Sequence, residues 1–241
     1  MYIKQTDSTN RLLNECLPQE DGYFIVTDYQ TAGRGQVGNH WESKKGQNLL
    51  VSILIRPQGL AVDKQFRLSM IAALSVIKTL ETLYPKYEWL IKWPNDIYYK
   101  EKKVGGILIE NKLNGGYVGD CIFGLGLNIN QTEFNSDAPN PMSIKQITSQ
   151  QADRETILSG VISHLNDLKV WLSDARYSEL KQQYVSRLFR REGYYPYADE
   201  HGLFNAKFTD IDEMGQFVLE TEIGEKRSYL FKQIKFILQT I

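Results

Sequence analysis

"QTAGRGQVGNHW", residues 30–41, sets Gly33, Gly35 and Gly38 around one arginine, Arg34, and ends on Trp41. Glycine loses more backbone freedom on folding than any other residue, so a loop this rich in it is costly to order. The spacing matches G-x-G-x-x-G, the dinucleotide fingerprint, and its outer glycines fit the front half of the phosphate loop G-x-x-x-x-G-K-[ST]. Both patterns belong between a strand and a helix. Here "YFIVTDY" (23–29) precedes the stretch and "NLLVSILI" (48–55) follows it, and both read as strands. Asn39 and His40 also stand where the second pattern needs Lys and Ser/Thr. The stretch therefore decides against a doubly wound nucleotide fold and for a loop joining two strands. A plain surface loop that uses glycine for its turns is the competing reading. Arg34 argues for more, because a guanidinium among close-approaching glycine N–H groups suits a carboxylate or phosphate. Trp41 offers either an aromatic wall for a ring or a core side chain at the start of the next strand.

Outward from the loop, "DSTNRLLNECL" (7–17) reads as a capped helix with Leu12, Leu13, Cys16 and Leu17 as its apolar stripe. Residues 63–83 repeat apolar positions at helical spacing, and Pro85 stops them. "EWLIKWPNDIYY", "KVGGILIE" and "YVGDCIFGLGLNIN" follow as an antiparallel meander divided by turn signals at 100–102 and 114–116. Helical spacing returns over 154–172 and 177–189, with Ile157, Val161, Leu165, Leu168, Leu172, Leu180, Tyr184 and Leu188 toward the core. After Arg191 the texture changes to short strands split by glycine and acidic turns, which predicts a small β-barrel packed on the rest. The expected organisation is an α+β chain, with residues 1–190 as the main domain and 191–241 as the barrel.

The composition, 42% hydrophobic and 24% charged, is that of an ordinary globular protein. A net charge of −1 disfavours nucleic acid as a partner, since bulk binding to phosphates needs clustered Lys and Arg. No apolar run is long enough to span a membrane, and "MYIKQTDSTN" is no secretory signal. The chain is expected to open directly on its functional domain, with no DNA-binding helix-turn-helix before it. Cys16 and Cys121 lack metal-ligand spacing, so a reduced, cytoplasmic protein is expected. His40, His164 and His201 lie too far apart in sequence to read as a histidine-rich metal site.

Three further motifs carry chemistry. "KWPNDI" (92–97) breaks a strand at Pro94 and gathers Lys92, Asn95 and Asp96 at the kink; an Asn-Asp turn is the bland alternative. "KKVGGILIE" (102–110) sets Lys103 before Gly105 and Gly106, where an ammonium can meet an anion beside a close-approaching backbone. Taken alone, Lys103 reads as a solvated turn lysine. "GLGLNIN" (124–130) puts Gly124, Gly126 and Asn128 into an apolar strand, which marks a bulge or close approach by a ligand.

Together "DSTN", "QTAGRGQVGNHW", "KWPND", "KVGGILIE" and "GLGLNIN", in this order and at these intervals, resemble the biotin–protein ligase family. The motifs cover residues 1–130, and the start of the chain resembles the monofunctional class without a repressor domain. The resemblance implies a mixed sheet flanked by helices, related to the class II synthetase fold, plus a C-terminal SH3-like barrel. It implies a ligase that activates biotin with ATP and Mg²⁺ as biotinyl-5′-AMP and then transfers it to a lysine of a biotin carboxyl carrier protein.

Carried over by the resemblance, Ser8, Thr9, Asn10 and Gln30 match positions on the biotin ring, where hydroxyls and amides supply donors and acceptors. Gly33, Arg34 and Gly35 match a loop that closes over biotin and the acyl phosphate. Lys103 matches the catalytic lysine between carboxylate and α-phosphate, with Arg34 and Asp96 beside it in the catalytic set. Gly105 and Gly106 let the ligand pass close, and Gly106, Gly124 and Gly126 belong to the biotin site. Gly35, Gln36, Trp41, Lys92, Asn95, Asp96 and Asn128 match the ATP end, Trp41 beside the adenine. A second role implied for Asp96 is to orient the incoming carrier lysine. No metal ligands are assigned.

One position departs from the family. Many relatives read "GRGR", whereas residue 36 is a glutamine, which cannot pair with phosphate as a charge. A lipoate or octanoate transferase is a second reading, for which a longer, more apolar tunnel is expected. A biotin-sensing binding protein without transfer activity is a third, disfavoured by Lys103 and Asp96. Monomer and homodimer both stay open, since a sheet edge either pairs across a two-fold axis or is capped.

Overall fold

Leu49–Ile55 is apolar at every position but Ser52, and all seven residues are buried, as a strand covered on both faces requires. In the computed structural model, which describes residues 1–18, 20–36, 39–135 and 140–238, this is β3. It follows β1 (Tyr2–Ile3), helix α1 (Thr9–Cys16) and β2 (Phe24–Thr27). Helix α2 (Phe66–Leu83) leads to the meander β4 (Trp89–Lys92), β5 (Asp96–Tyr99), β6 (Lys102–Asn114) and β7 (Tyr117–Leu127). These strands form one seven-stranded sheet in the order β1-β2-β3-β7-β6-β5-β4. Only β1 and β2 run parallel, so the sheet is mixed.

The two faces of the sheet differ. On one, Leu49, Val51, Ile53 and Ile55 share a core with α2, α4 (Arg154–Lys169) and α5 (Tyr177–Val185). Gly160 of α4 lets that helix close on α2, since a Cβ there would stand 2.6 Å from Thr79 Cγ2. On the other face, Leu54, Ile25 and Ile122 pack only against Leu13 of α1 and its neighbours. The remainder of that second face is left for the site.

The C-terminal segment is β8 (Tyr194–Asp199), β9 (Gly202–Ile211), β10 (Phe217–Thr221), β11 (Lys226–Tyr229) and β12 (Lys235–Phe236). They make a five-stranded antiparallel sheet in the order β11-β10-β9-β8-β12. Tyr197, Ile211, Phe217 and Leu219 of this sheet belong to the same continuous core as α2 and β3. The joint is aromatic: Trp93 stacks on Phe217 at 5.2 Å, and its indole N–H donates to the Gly215 carbonyl at 3.0 Å.

Several elements depart from the sequence-based expectation: β1 is not foreseen by it, and the first helix starts after Ser8 without a side-chain cap. Helical spacing to residue 189 is cut short at Val185, because residues 187–189 pair with the free edge of β4 instead. Ile91 N–H donates to Arg187 at 2.8 Å, and Phe189 N–H donates to Ile91 at 2.9 Å. A short helix not expected, α3 (Ile144–Thr148), is started by a reciprocal capping box of Ser143 and Gln146. No helix of the described residues is long and apolar enough to cross a membrane.

Gly215 holds the joint between the sheets. Its φ of +86° favours glycine, and a Cβ there would stand 2.3 Å from the Phe66 ring. Gly215→Ala is expected to lower stability by about 3 kcal/mol, from backbone strain and overpacking together. Gly116→Ala, with nothing within 4 Å of the new carbon, should stay within about 0.5 kcal/mol of the parent. Chemical denaturation of the two variants checks both; equal midpoints would refute the assignment.

Candidate active site

The site lies on the face of the sheet that carries α1, over three strand residues without side chains. Gly126 pairs with Leu50 and Gly106, and Gly124 pairs with Ser52 and Leu108, so the glycines line one side of β6 and β7. The vacant space is taken by the chain itself. A Cβ on Gly126 would lie 2.4 Å from the Trp41 indole, and one on Gly106 3.2 Å from it. A Cβ on Gly124 would lie 2.2 Å from Asn10 Oδ1. Gly105 faces the opposite way, toward Leu127 Cδ1 in the core, so of the predicted Gly-Gly pair only Gly106 meets the site.

A β-bulge aims the lysine. Ile97 pairs with Gly105 but Tyr98 with Lys103, so β6 carries one extra residue, Val104. Residues 103 and 106 would otherwise point to opposite faces of a strand with period two. With the bulge, Lys103 Cε comes within 3.5 Å of the place a Gly106 Cβ would occupy, and Lys103 Nζ meets Asp96 Oδ1 at 2.7 Å. Asp96 is placed by its pairing with Gly106 and Lys92. The corner between β4 and β5 contains a cis Trp93–Pro94 bond. It is held by Tyr184, whose hydroxyl donates to the Pro94 carbonyl at 2.8 Å, and by the Asn95 amide, which donates to the Ile107 carbonyl.

The glycine-rich stretch folds back on itself. Trp41 N–H donates to Gly33 at 3.0 Å, Gly35 N–H to Asn39 at 2.9 Å, and Arg34 bridges to His40. A Cβ on Gly33 would strike the Trp41 carbonyl at 2.5 Å, which explains that glycine. Gly38 lies outside the described residues. Arg34 reaches back over the sheet to Glu110, 3.4 Å away.

These elements enclose a cavity of about 290 Å³ lined by Ser8, Thr9, Asn10, Gln30, Arg34, Gly35, Gln36, Trp41, Lys92, Asn95, Asp96, Lys103, Gly106, Gly124 and Gly126. Most residues singled out in the sequence thus meet in one place. Gly33 and Asn128 do not line it. The Asn128 side chain donates to the Met142 carbonyl at 3.3 Å and is buried beneath the site.

The cavity has two chemical ends. At one, Ser8, Thr9 and Asn10 are each at most 4% exposed, and Gln30 Oε1 accepts from the Thr9 N–H at 2.8 Å. At the other, Lys92 and Lys103 gather around the carboxylate of Asp96, and Arg34 lines the cavity while paired with Glu110. Burial makes Lys92 a weaker base than an ordinary lysine, an effect that Asp96 counters and that Lys103 and Arg190 reinforce. Its ammonium lies 4.8 Å from the Phe236 ring and 5.5 Å from that of Tyr98. An anion bound here would favour its charged form. The Trp41 indole N–H is buried against Gly126 with no hydrogen-bond partner among the described residues.

Several residues of the site gave no sequence signal. Tyr98 and Leu108 line the cavity through strand pairing alone. Phe231 enters from the turn between β11 and β12, its ring 6.5 Å from that of Trp93. With Arg34, Gln36 and His40 it also bounds a second cavity of about 770 Å³ beside the first. Ser52 and Glu110 stand behind the first cavity and were visible only as a lone hydroxyl in an apolar run and a carboxylate ending a strand.

Comparison with known proteins places this geometry. The chain is 30% identical over 241 residues to the bifunctional ligase/repressor BirA of Bacillus spizizenii, covering 94% of this chain and 70% of that one. It is 28% identical over 237 residues to the biotin–[acetyl-CoA-carboxylase] ligase of Paracoccus denitrificans, covering 93% and 95%. Its fold matches the biotin protein ligase from Aquifex aeolicus in complex with biotin and ATP at a TM-score of 0.82, with 28% identity over 99% of this chain and 98% of that one. The model of the Biotin/lipoate A/B protein ligase family matches residues 2–128, the segment that builds all of the cavity except Phe231. By that match over more than half of the chain, and by its likeness to BirA along most of both sequences, the chain belongs to the Biotin/lipoate A/B protein ligase family.

Proposed function

We propose that the chain is an ATP-dependent biotin ligase that forms biotinyl-5′-AMP and passes the biotinyl group to a lysine of a biotin carboxyl carrier protein. The observation that carries this is the joining, in one cavity, of a neutral hydroxyl and amide end to a cationic end. Biotin has a urea ring at one end and a carboxylate at the other, and ATP brings the second anion. A lipoyl ring has no hydrogen-bonding groups to satisfy Ser8, Thr9, Asn10 and Gln30, so the lipoate reading is not favoured.

In the first step a biotin carboxylate oxygen attacks the α-phosphorus of ATP, and the bond to the departing pyrophosphate breaks. Arg34, Lys92 and Lys103 offset the repulsion between the two anions, and water displaced by the bound substrates strengthens each of these interactions. In the second step the carrier lysine amine attacks the acyl carbon, AMP leaves with the bonding electrons, and the proton lost by the amine passes to the phosphate of the departing AMP. Asp96, hydrogen-bonded to Lys103 at 2.7 Å, orients that amine. Trp41 and Phe231 wall the nucleotide. Mg²⁺ commonly keeps waters and phosphate oxygens and needs only one or two carboxylates. Asp96 fits as its protein contact, and the ion would supply neutralisation of phosphate charge. No group of three or more His, Cys, Asp or Glu suited to holding a metal alone occurs among the described residues. Residues 1–190 serve as the catalytic unit and 191–241 as the barrel that closes its mouth. The cytoplasm, where ATP and reduced thiols coexist, suits the free Cys16 and Cys121.

The direct test is incubation with ATP, biotin and a purified carrier domain, read as mass gain on the carrier; gain with lipoate but not biotin would overturn the proposal. Lys103→Ala is expected to slow adenylate formation by about 10²–10³-fold while the protein still binds biotin; unchanged pyrophosphate exchange would contradict the role given to Lys103. Gln36→Arg should slow release of biotinyl-AMP by about tenfold, the effect of one added charge-assisted hydrogen bond. Single-turnover release measurements decide this, and equal rates would show that Gln36 does not govern retention.

A further inference from the structure

Thr9 and Asn10 rest on the sheet above Ser52 and Gly124, which are partners across β3 and β7. The Ser52 side chain is fully buried, and its hydroxyl lies 2.7 Å from Thr9 Oγ1 and 2.5 Å from Asn10 Oδ1. Asn10 Nδ2 donates to Glu110 Oε2 at 2.7 Å, and the other Glu110 oxygen faces Arg34. The glycine at 124 is what lets the Asn10 amide lie there.

The protons of this chain have one satisfied arrangement. An ionised carboxylate only accepts, so Asn10 turns its NH₂ to Glu110 and its carbonyl oxygen to Ser52. That oxygen also only accepts, so Ser52 spends its single proton on Asn10. The Ser52 oxygen then meets Thr9 with lone pairs, and at 2.7 Å Thr9 must donate to it. The alternative acceptor for Thr9, Gln30 Oε1, is farther at 3.0 Å and already holds the Thr9 N–H. Choosing Gln30 would leave two unprotonated oxygens facing each other at the shorter distance, the costlier arrangement. Every proton therefore points toward Glu110, and Thr9 brings only lone pairs to the cavity.

We propose that Ser52 and Glu110 are positioning residues that fix Thr9 as a hydrogen-bond acceptor, so that the site selects a ligand with a ring N–H there. The inference deepens the biotin reading and rests on it: the group selected is one N–H of the cyclic urea. A ring offering an oxygen at that point would set lone pair against lone pair, and the buried Thr9 would have no proton to give.

Glu110→Gln is the cleanest test, because it keeps the shape at a part-exposed position. A neutral amide both donates and accepts, so the whole chain can reverse and Thr9 can donate outward. Calorimetry on the full chain compares biotin with the two analogues in which one or the other ring N–H is replaced by oxygen. The parent protein should bind one analogue about 100-fold more weakly than biotin. In Glu110→Gln that ratio should fall to about tenfold or less, and Ser52→Ala should do the same at lower affinity for all ligands. Glu110→Asp, which can only accept, should keep the parent ratio. A purely structural role would weaken all ligands alike. A parent ratio near one, or a ratio unchanged in Glu110→Gln, would overturn this inference alone. Failure of the unaltered protein to bind biotin would overturn the ligase reading and this inference with it.

Discussion

The site depends on a strip of sheet with no side chains. Gly106, Gly124 and Gly126 leave a floor on which Trp41 and Asn10 lie almost against the backbone. Glycine inside strands weakens a sheet, through lost entropy and absent packing. That cost falls on β6 and β7, whose intervening residues Ile107, Leu125 and Leu127 are buried. The long pairing of β6 with β7 and the seven-residue register of β3 on β7 hold the floor flat and in place. Everything facing the cavity is positioned relative to this floor: α1 above Gly124, the folded-back loop above Gly126, and Lys103 and Asp96 beside Gly106.

The electrostatics follow from the same layout. The cavity lining carries three cations and one carboxylate, and Lys92 is made a weaker base chiefly by its burial and further by the neighbouring cations. Asp96 and Glu110 partly compensate by pairing Lys103 and Arg34. An arriving polyanion therefore competes with two internal carboxylates, and its binding is an exchange of partners more than the filling of a void. At the opposite end Ser8, Thr9, Asn10 and Gln30 present hydroxyl and amide groups, with the Arg34–Glu110 pair beside Asn10. The two ends thus recognise ligand by different physics within a single short cavity.

Much of this was legible from the chain alone, for identifiable reasons. The glycine-rich stretch announced itself because glycine is costly, and the strands on either side ruled out the helical context of known phosphate loops. The Pro94 corner and the Lys103-Gly-Gly run were visible because each breaks a strand pattern. What a linear reading missed was parity and pairing. Nothing in "KKVGGILIE" says that Val104 is a bulge residue, yet that bulge decides which face Lys103 takes. Gly105 and Gly106 look equivalent in sequence and serve opposite faces. Asn128 follows the strand that carries Gly124 and Gly126 but turns beneath the site to hold Met142. Phe231 comes from a turn of the C-terminal segment, whose residues carry no motif. The helix expected to reach residue 189 stopped early because the open edge of β4 offered its backbone a better partner than another helical turn.

Trp93 ties the C-terminal sheet to the corner that carries Asn95 and Asp96, through one stack and one hydrogen bond, and the core runs unbroken through the joint. Removing the C-terminal sheet would therefore uncover part of the main core along with its own. Ligand bound at the cavity raises the stability of the folded form by mass action. Because Phe231 lines the cavity and Trp93 anchors its corner, ligand bound there and the seating of the C-terminal segment stabilise one another.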